Sequence, residues 1–137
     1  MSKAIELLQA AQKHGMSIRP KVGGFPFLAE ALRKGGVTHN MWTLPSCQSI
    51  YLTTEGTVVQ QSTPLVTDVA DVPAFNEEKL IKALRADQAG QTTFPEFLKA
   101  TWEAGCVRYD VDFEARMVIY YGIEGEFYEE EYPEVEI

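Results

Sequence analysis

The chain has 137 residues, 45% of them hydrophobic and 23% charged, with a formal net charge of −8. That length suits a single domain, expected over residues 1–137, and the composition excludes a disordered chain. No Lys/Arg cluster is present to neutralise phosphates, so neither nucleic acid nor an anionic membrane surface is expected as a partner.

No apolar run approaches the roughly 20 residues of a membrane helix, and the amphipathic start, MSKAIELLQAAQKHG, is too polar for a signal-peptide core. With two cysteines, Cys47 and Cys106, there is neither a disulfide framework nor a CxxC pair to seed a zinc site. A cytoplasmic location is the expectation, with no cofactor and no metal. The negative charge is concentrated: seven glutamates fall in the last fourteen residues, leaving 13 acidic against 12 basic residues elsewhere.

In chain order, residues 2–15 (SKAIELLQAAQKHG) show helical apolar spacing, with Ser2 as the cap and an end expected near Gly15. A second helix follows Gly24, carries Phe25, Leu28 and Leu32, and stops at Gly35-Gly36. Val37 to Trp42 reads as a strand broken by Pro45. CQSIYLT (47–53) leads through Glu55-Gly56 to TVVQQ, two further strands. A connector occupies 63–73, with Pro64 and Pro73. Residues 77–90 (EEKLIKALRADQAG) form the third helix, capped by Asn76. Thr93 and Glu96 have capping-box spacing, Pro95 suits a first helical turn, and Gly105 ends that fourth helix. VRYDVDF (107–113) then alternates, Val107, Tyr109, Val111 and Phe113 against Arg108, Asp110 and Asp112, as a strand covered on one side does. MVIYYG (117–122) and EFYEEEY (126–132) complete the series.

The two halves repeat one text. FPFLAEALRKGGV (25–37) returns as FPEFLKATWEAGCV (94–107), ungapped from Phe27 to Val37 and from Phe97 to Val107. Pseudo-repeats over about 1–62 and 74–137 each read helix, helix, strand, strand, strand. Hairpin-connected strands with helices segregated to one face predict an α+β fold on an antiparallel sheet.

Residues 93–133 also carry a family pattern: Thr93-Phe94 and Phe97 opening the helix, Ala104-Gly105 ending it, the Tyr109 to Phe113 strand, Tyr120-Tyr121, and Glu126-x-Tyr128-x-Glu130. This pattern resembles the YbcV-like proteins, a bacterial and prophage family often labelled "phage envelope protein", and the first half is also similar to its members. The resemblance implies a shared fold and a prophage-related origin. It brings no catalytic residues, because the family has no established activity.

Three groups of side chains are candidates for chemistry. His39 aligns with Tyr109 of the second copy, so His39 and Met41 are expected on the face that Tyr109 and Val111 use, giving a partly buried imidazole. Cys47 could be a nucleophile if His39 lay across the hairpin, with Asp110 completing a catalytic set; Asp110 and Asp112, like Glu129 and Glu131, otherwise read as a solvated strand face. Trp42, Tyr51, Tyr109, Tyr121 and Tyr128 are the ligand or interface candidates, from an aromatic group that also contains Tyr120, Phe127 and Tyr132. The favoured reading is a non-catalytic binding or regulatory module that forms a homodimer through the sheet face or tyrosine edge. The alternative is a small-molecule hydrolase or isomerase with its site between the two halves.

Overall fold

A computed structural model describes all residues, 1–137. The first half contains α1 (Lys3–Ile18), α2 (Phe25–Lys34), β1 (Val37–Thr43), β2 (Gln48–Thr53) and β3 (Gly56–Gln61). The second repeats the order with α3 (Glu77–Gln88), α4 (Phe94–Glu103), β4 (Arg108–Asp112), β5 (Met117–Tyr121) and β6 (Phe127–Glu131). The fold is α+β, and the helix-helix-strand-strand-strand unit occurs twice.

The six strands form one sheet in the order β3-β2-β1-β4-β5-β6, every neighbouring pair antiparallel. Each half therefore contributes a three-stranded meander, and β1 pairs with β4 to join them, from His39 opposite Asp112 to Thr43 opposite Arg108. The helices lie on one face. There a continuous core of Leu8, Leu32, Leu80, Leu84, Phe97 and Leu98 meets Trp42, Tyr109, Val111 and Tyr120 from the strands and Phe113 directly after β4. No helix is long and apolar enough to cross a membrane.

Local signals account for several of the helix ends. Ser2, Asn76 and Thr93 cap their helices by accepting hydrogen bonds from the amides of Ile5, Lys79 and Glu96. Glu96 returns the bond to the Thr93 amide at 2.8 Å, completing the capping box. Gly36 and Gly105 follow α2 and α4 with φ of +102° and +87°, the left-handed conformation that a helix end favours in glycine.

Two expectations are corrected. First, α1 does not end at Gly15 but continues to Ile18. Gly15 is a packing residue: a Cβ there would meet Leu28 Cδ1 at 2.5 Å and Ala31 Cβ at 3.3 Å. It lets α1 and α2 approach closely, so glycine is retained despite its cost within a helix. His14 consequently lies inside α1, where its carbonyl accepts from Ser17 Oγ at 2.6 Å. Second, His39 and Met41 do not share the face of Tyr109 and Val111. The β1–β2 register is interrupted between Val37 and His39 by a bulge. One extra residue inverts the alternation that follows, so Val37, Asn40 and Trp42 point into the core while His39 and Met41 are exposed. The second copy has no such interruption between Arg108 and Asp112.

Candidate ligand-binding site

Cross-strand pairing sets Trp42 opposite Tyr109, Tyr109 opposite Tyr120, and Tyr120 opposite Tyr128, one aromatic row across four strands on the helix-covered face. The Trp42 and Tyr109 rings are parallel within 2°, their centroids 6.1 Å apart, and those of Tyr109 and Tyr120 are 5.6 Å apart. From α4, Phe94 meets Trp42 edge-on at 5.3 Å and lies 6.3 Å from Phe97. Next to this row runs a smaller one: Tyr51, Asn40, Val111 and Val118 are successive partners on β2, β1, β4 and β5.

Between these rows and the helices a cavity of about 140 Å³ remains. The sheet supplies its floor through Asn40, Trp42, Tyr51, Tyr109, Val111, Val118 and Tyr120. Its roof comes from both helical pairs: Phe25, Leu28 and Leu32 of the first, Leu84, Phe94 and Phe97 of the second. The cavity thus sits where the two repeats meet. Burial drives the Tyr109 and Tyr120 hydroxyls far above the ordinary tyrosine range, and nearby Glu130 adds to the effect on Tyr120. Both are therefore neutral phenols.

One end of the cavity is polar. Arg19, Phe25, Asp87 and Gln88 line both the cavity and an outer groove of about 400 Å³, and so form the neck between them. Asp87 is partly buried, which raises its carboxyl pKa; the charge of Arg19 and the hydroxyl of Thr92, 3.4 Å away, oppose that rise. Gln88 Nε2 donates to Glu130 Oε1 at 2.8 Å, and Arg85 Nη1 donates to the same oxygen at 2.5 Å. A backbone hydrogen bond ties the neighbouring segments together, the Gly23 amide donating to the Gln88 carbonyl at 2.9 Å.

Of the ligand candidates read from the sequence, Trp42, Tyr51 and Tyr109 converge here. Tyr121 lies on the opposite sheet face, with the Arg108 guanidinium 4.4 Å from its ring centroid. Tyr128 packs beside Tyr120 at 6.4 Å, behind the cavity wall. Tyr120 belongs to the floor in their place. The Tyr120-Tyr121 pair is ambiguous in sequence because both alternating sets of MVIYY are largely apolar. Arg19, Asn40, Asp87 and Gln88 carry no local signal, since helix ends and a strand interior bring them together from separate parts of the chain.

The catalytic set does not assemble. His39 and Asp110 lie on the uncovered sheet face, His39 Nε2 3.5 Å from Asp112 Oδ2 and Asp110 Oδ1 3.2 Å from Arg108 Nε. Cys47 is buried in the turn after β1, facing the core, about 16 Å along the hairpin from His39 at ~3.3 Å per residue. Its thiol donates to the Leu44 carbonyl at 3.3 Å, and burial raises its pKa against the Leu65 amide and the Trp42 indole. Cys106, also buried, is pushed up to about 12 by desolvation. Neither thiol is an activated nucleophile. No group of three or more His, Cys, Asp or Glu side chains is arranged to hold a metal ion.

A family model described as "Protein of unknown function (DUF1398)" matches residues 17–131. Uncharacterized protein Rv2012 of Mycobacterium tuberculosis is 52% identical over 136 residues, covering 99% of this chain and 83% of the relative. Uncharacterized protein Mb2035 of Mycobacterium bovis matches to the same extent, 52% over 136 residues.

Proposed function

The chain belongs to the DUF1398 family, and from the cavity's geometry we propose that it is a non-catalytic binding module for a small aromatic molecule. The observation that carries this reading is the lining: thirteen of seventeen residues are hydrophobic, and an aromatic row forms the floor. At about 140 Å³ the space is close to the ~150 Å³ of an engineered apolar cavity that takes up benzene. A single six-membered ring fits, stacked along the row or edge-on to it. Because both repeats contribute walls, an occupant would tie the two halves together, which suits a regulatory role. The narrower YbcV-like kinship, with its prophage origin, belongs to this proposal and rests on the 93–133 pattern.

Thermal unfolding in the presence of benzene, toluene, phenol or indole tests the reading. At least one of these rings at millimolar concentration is expected to raise Tm, since a ligand that binds only the folded state stabilises it. Val118→Leu, which adds a methylene to the floor, is expected to abolish that rise while the protein stays folded. Unchanged Tm for all four rings with the wild-type chain would sink the proposal.

A further inference from the structure

The polar neck carries a charge pattern that the aromatic cavity does not explain. Arg19 follows directly after α1 and makes neither an ion pair nor a side-chain hydrogen bond within the protein. Its side chain is laid across Gly24, where a Cβ would meet Arg19 Cγ at 2.7 Å and Nε at 2.8 Å. Asp87, from the last turn of α3, has the long Thr92 contact at 3.4 Å as its one side-chain hydrogen bond. A cation and a carboxylate therefore border one opening, close enough for Arg19 to lower the Asp87 pKa yet not joined in an ion pair.

We propose that this neck recognises a zwitterionic head group, so that the ligand is an aromatic α-amino acid or a close relative. The inference rests on the aromatic-cavity reading above and names the ligand class. The ring would enter the cavity, leaving the head group at Arg19, Asp87 and Gln88. A carboxylate alone gains from Arg19 but is repelled by Asp87. An ammonium alone gains from Asp87 but is repelled by Arg19. A molecule bearing both satisfies both, and each charge-assisted contact is made in a partly desolvated opening where it counts for more than in bulk water. The Gln88 amide, oriented by Glu130, supplies a neutral partner beside them.

Calorimetric titration with four probes tests this: toluene, phenethylamine, 3-phenylpropanoate and phenylalanine. Phenylalanine is expected to bind about tenfold tighter than either singly charged analogue, the usual worth of one added charge-assisted contact. Arg19→Gln should erase its advantage over phenethylamine, and Asp87→Asn its advantage over 3-phenylpropanoate. Both variants are expected to keep the wild-type far-UV circular dichroism spectrum and a cooperative thermal transition, which shows that they remain folded. If toluene binds but phenylalanine is no tighter than the singly charged probes, the zwitterion inference is overturned and the cavity reading stands. If none of the four binds, the cavity reading falls and takes this inference with it.

Discussion

Gly105 shows how much a single position can carry. Its φ of +87° ends α4, and a Cβ there would collide with the Ala74 carbonyl, Ala74 C and Phe75 Cα, all backbone atoms that cannot swing aside. Gly125 has the same conformation, φ +88°, with nothing within 4 Å of the point a Cβ would occupy. Gly125→Ala is therefore expected to cost about 1 kcal/mol, the left-handed strain alone, and Gly105→Ala about 3 kcal/mol or more. Urea denaturation of the two variants checks the difference; equal losses would mean that the connector yields easily around residue 105. The role of Gly105 as a helix terminator is legible from its place after an amphipathic run. Its packing under residues 74–75 is not, because those residues arrive from the connector. His39 misleads for a related reason: aligned on Val37 and Val107, it shares a face with Tyr109, and nothing in VTHNMWT announces the bulge that turns it outward.

At the scale of elements, α4 and α1 contrast. α4 carries its boundaries in its own residues: the Thr93–Glu96 box at one end, Pro95 in the first turn and glycine after the last. Thr93→Ala is expected to lower stability by about 1 kcal/mol, the usual worth of a side-chain cap. Because the box is reciprocal, adding Glu96→Ala should cost less in that background than in the wild type, and chemical denaturation of the four proteins of the cycle measures the coupling. Fully additive losses would mean that the box does not act as a unit. α1 has a clear start at Ser2 but no readable end, since Gly15 serves α2 rather than the terminus. Propensity marks glycine as a breaker; the burial gained by close packing against Leu28 and Ala31 outweighs it.

For the whole molecule, the consequential feature is the sheet face that the helices leave bare. Met41, Val59 and Phe127 are 37%, 61% and 58% exposed there. A groove on this face is floored by Met41, Leu52, Met117 and Ile119 and edged by His39, Asp110, Asp112 and Glu129. Of the two self-contacts expected from the sequence, the sheet face and the tyrosine edge, a dimer through this face would have its conditions set by these carboxylates. Two copies placed face to face repel at low ionic strength, and salt screens that repulsion while leaving apolar burial in place. Analytical ultracentrifugation should therefore show the dimer fraction rising between low salt and about 1 M, where the Debye length falls to ~3 Å. A monomer under both conditions removes this face as a self-contact.

The chain by itself determined the elements, their repetition and the class of the fold, because helical and strand periodicity, caps and turn glycines act over a few residues. It also pointed to Trp42, Tyr51 and Tyr109, whose aromatic character and strand setting are local properties. Only the tertiary structure decided which tyrosine of the 120–121 pair faces inward, on which side His39 stands, and that Arg19 and Asp87 meet at one opening. Those outcomes depend on strand register and on the approach of helix ends from different repeats. Register is a collective property: one bulged residue inverts every side chain beyond it, and only burial of the assembled face selects the arrangement that holds.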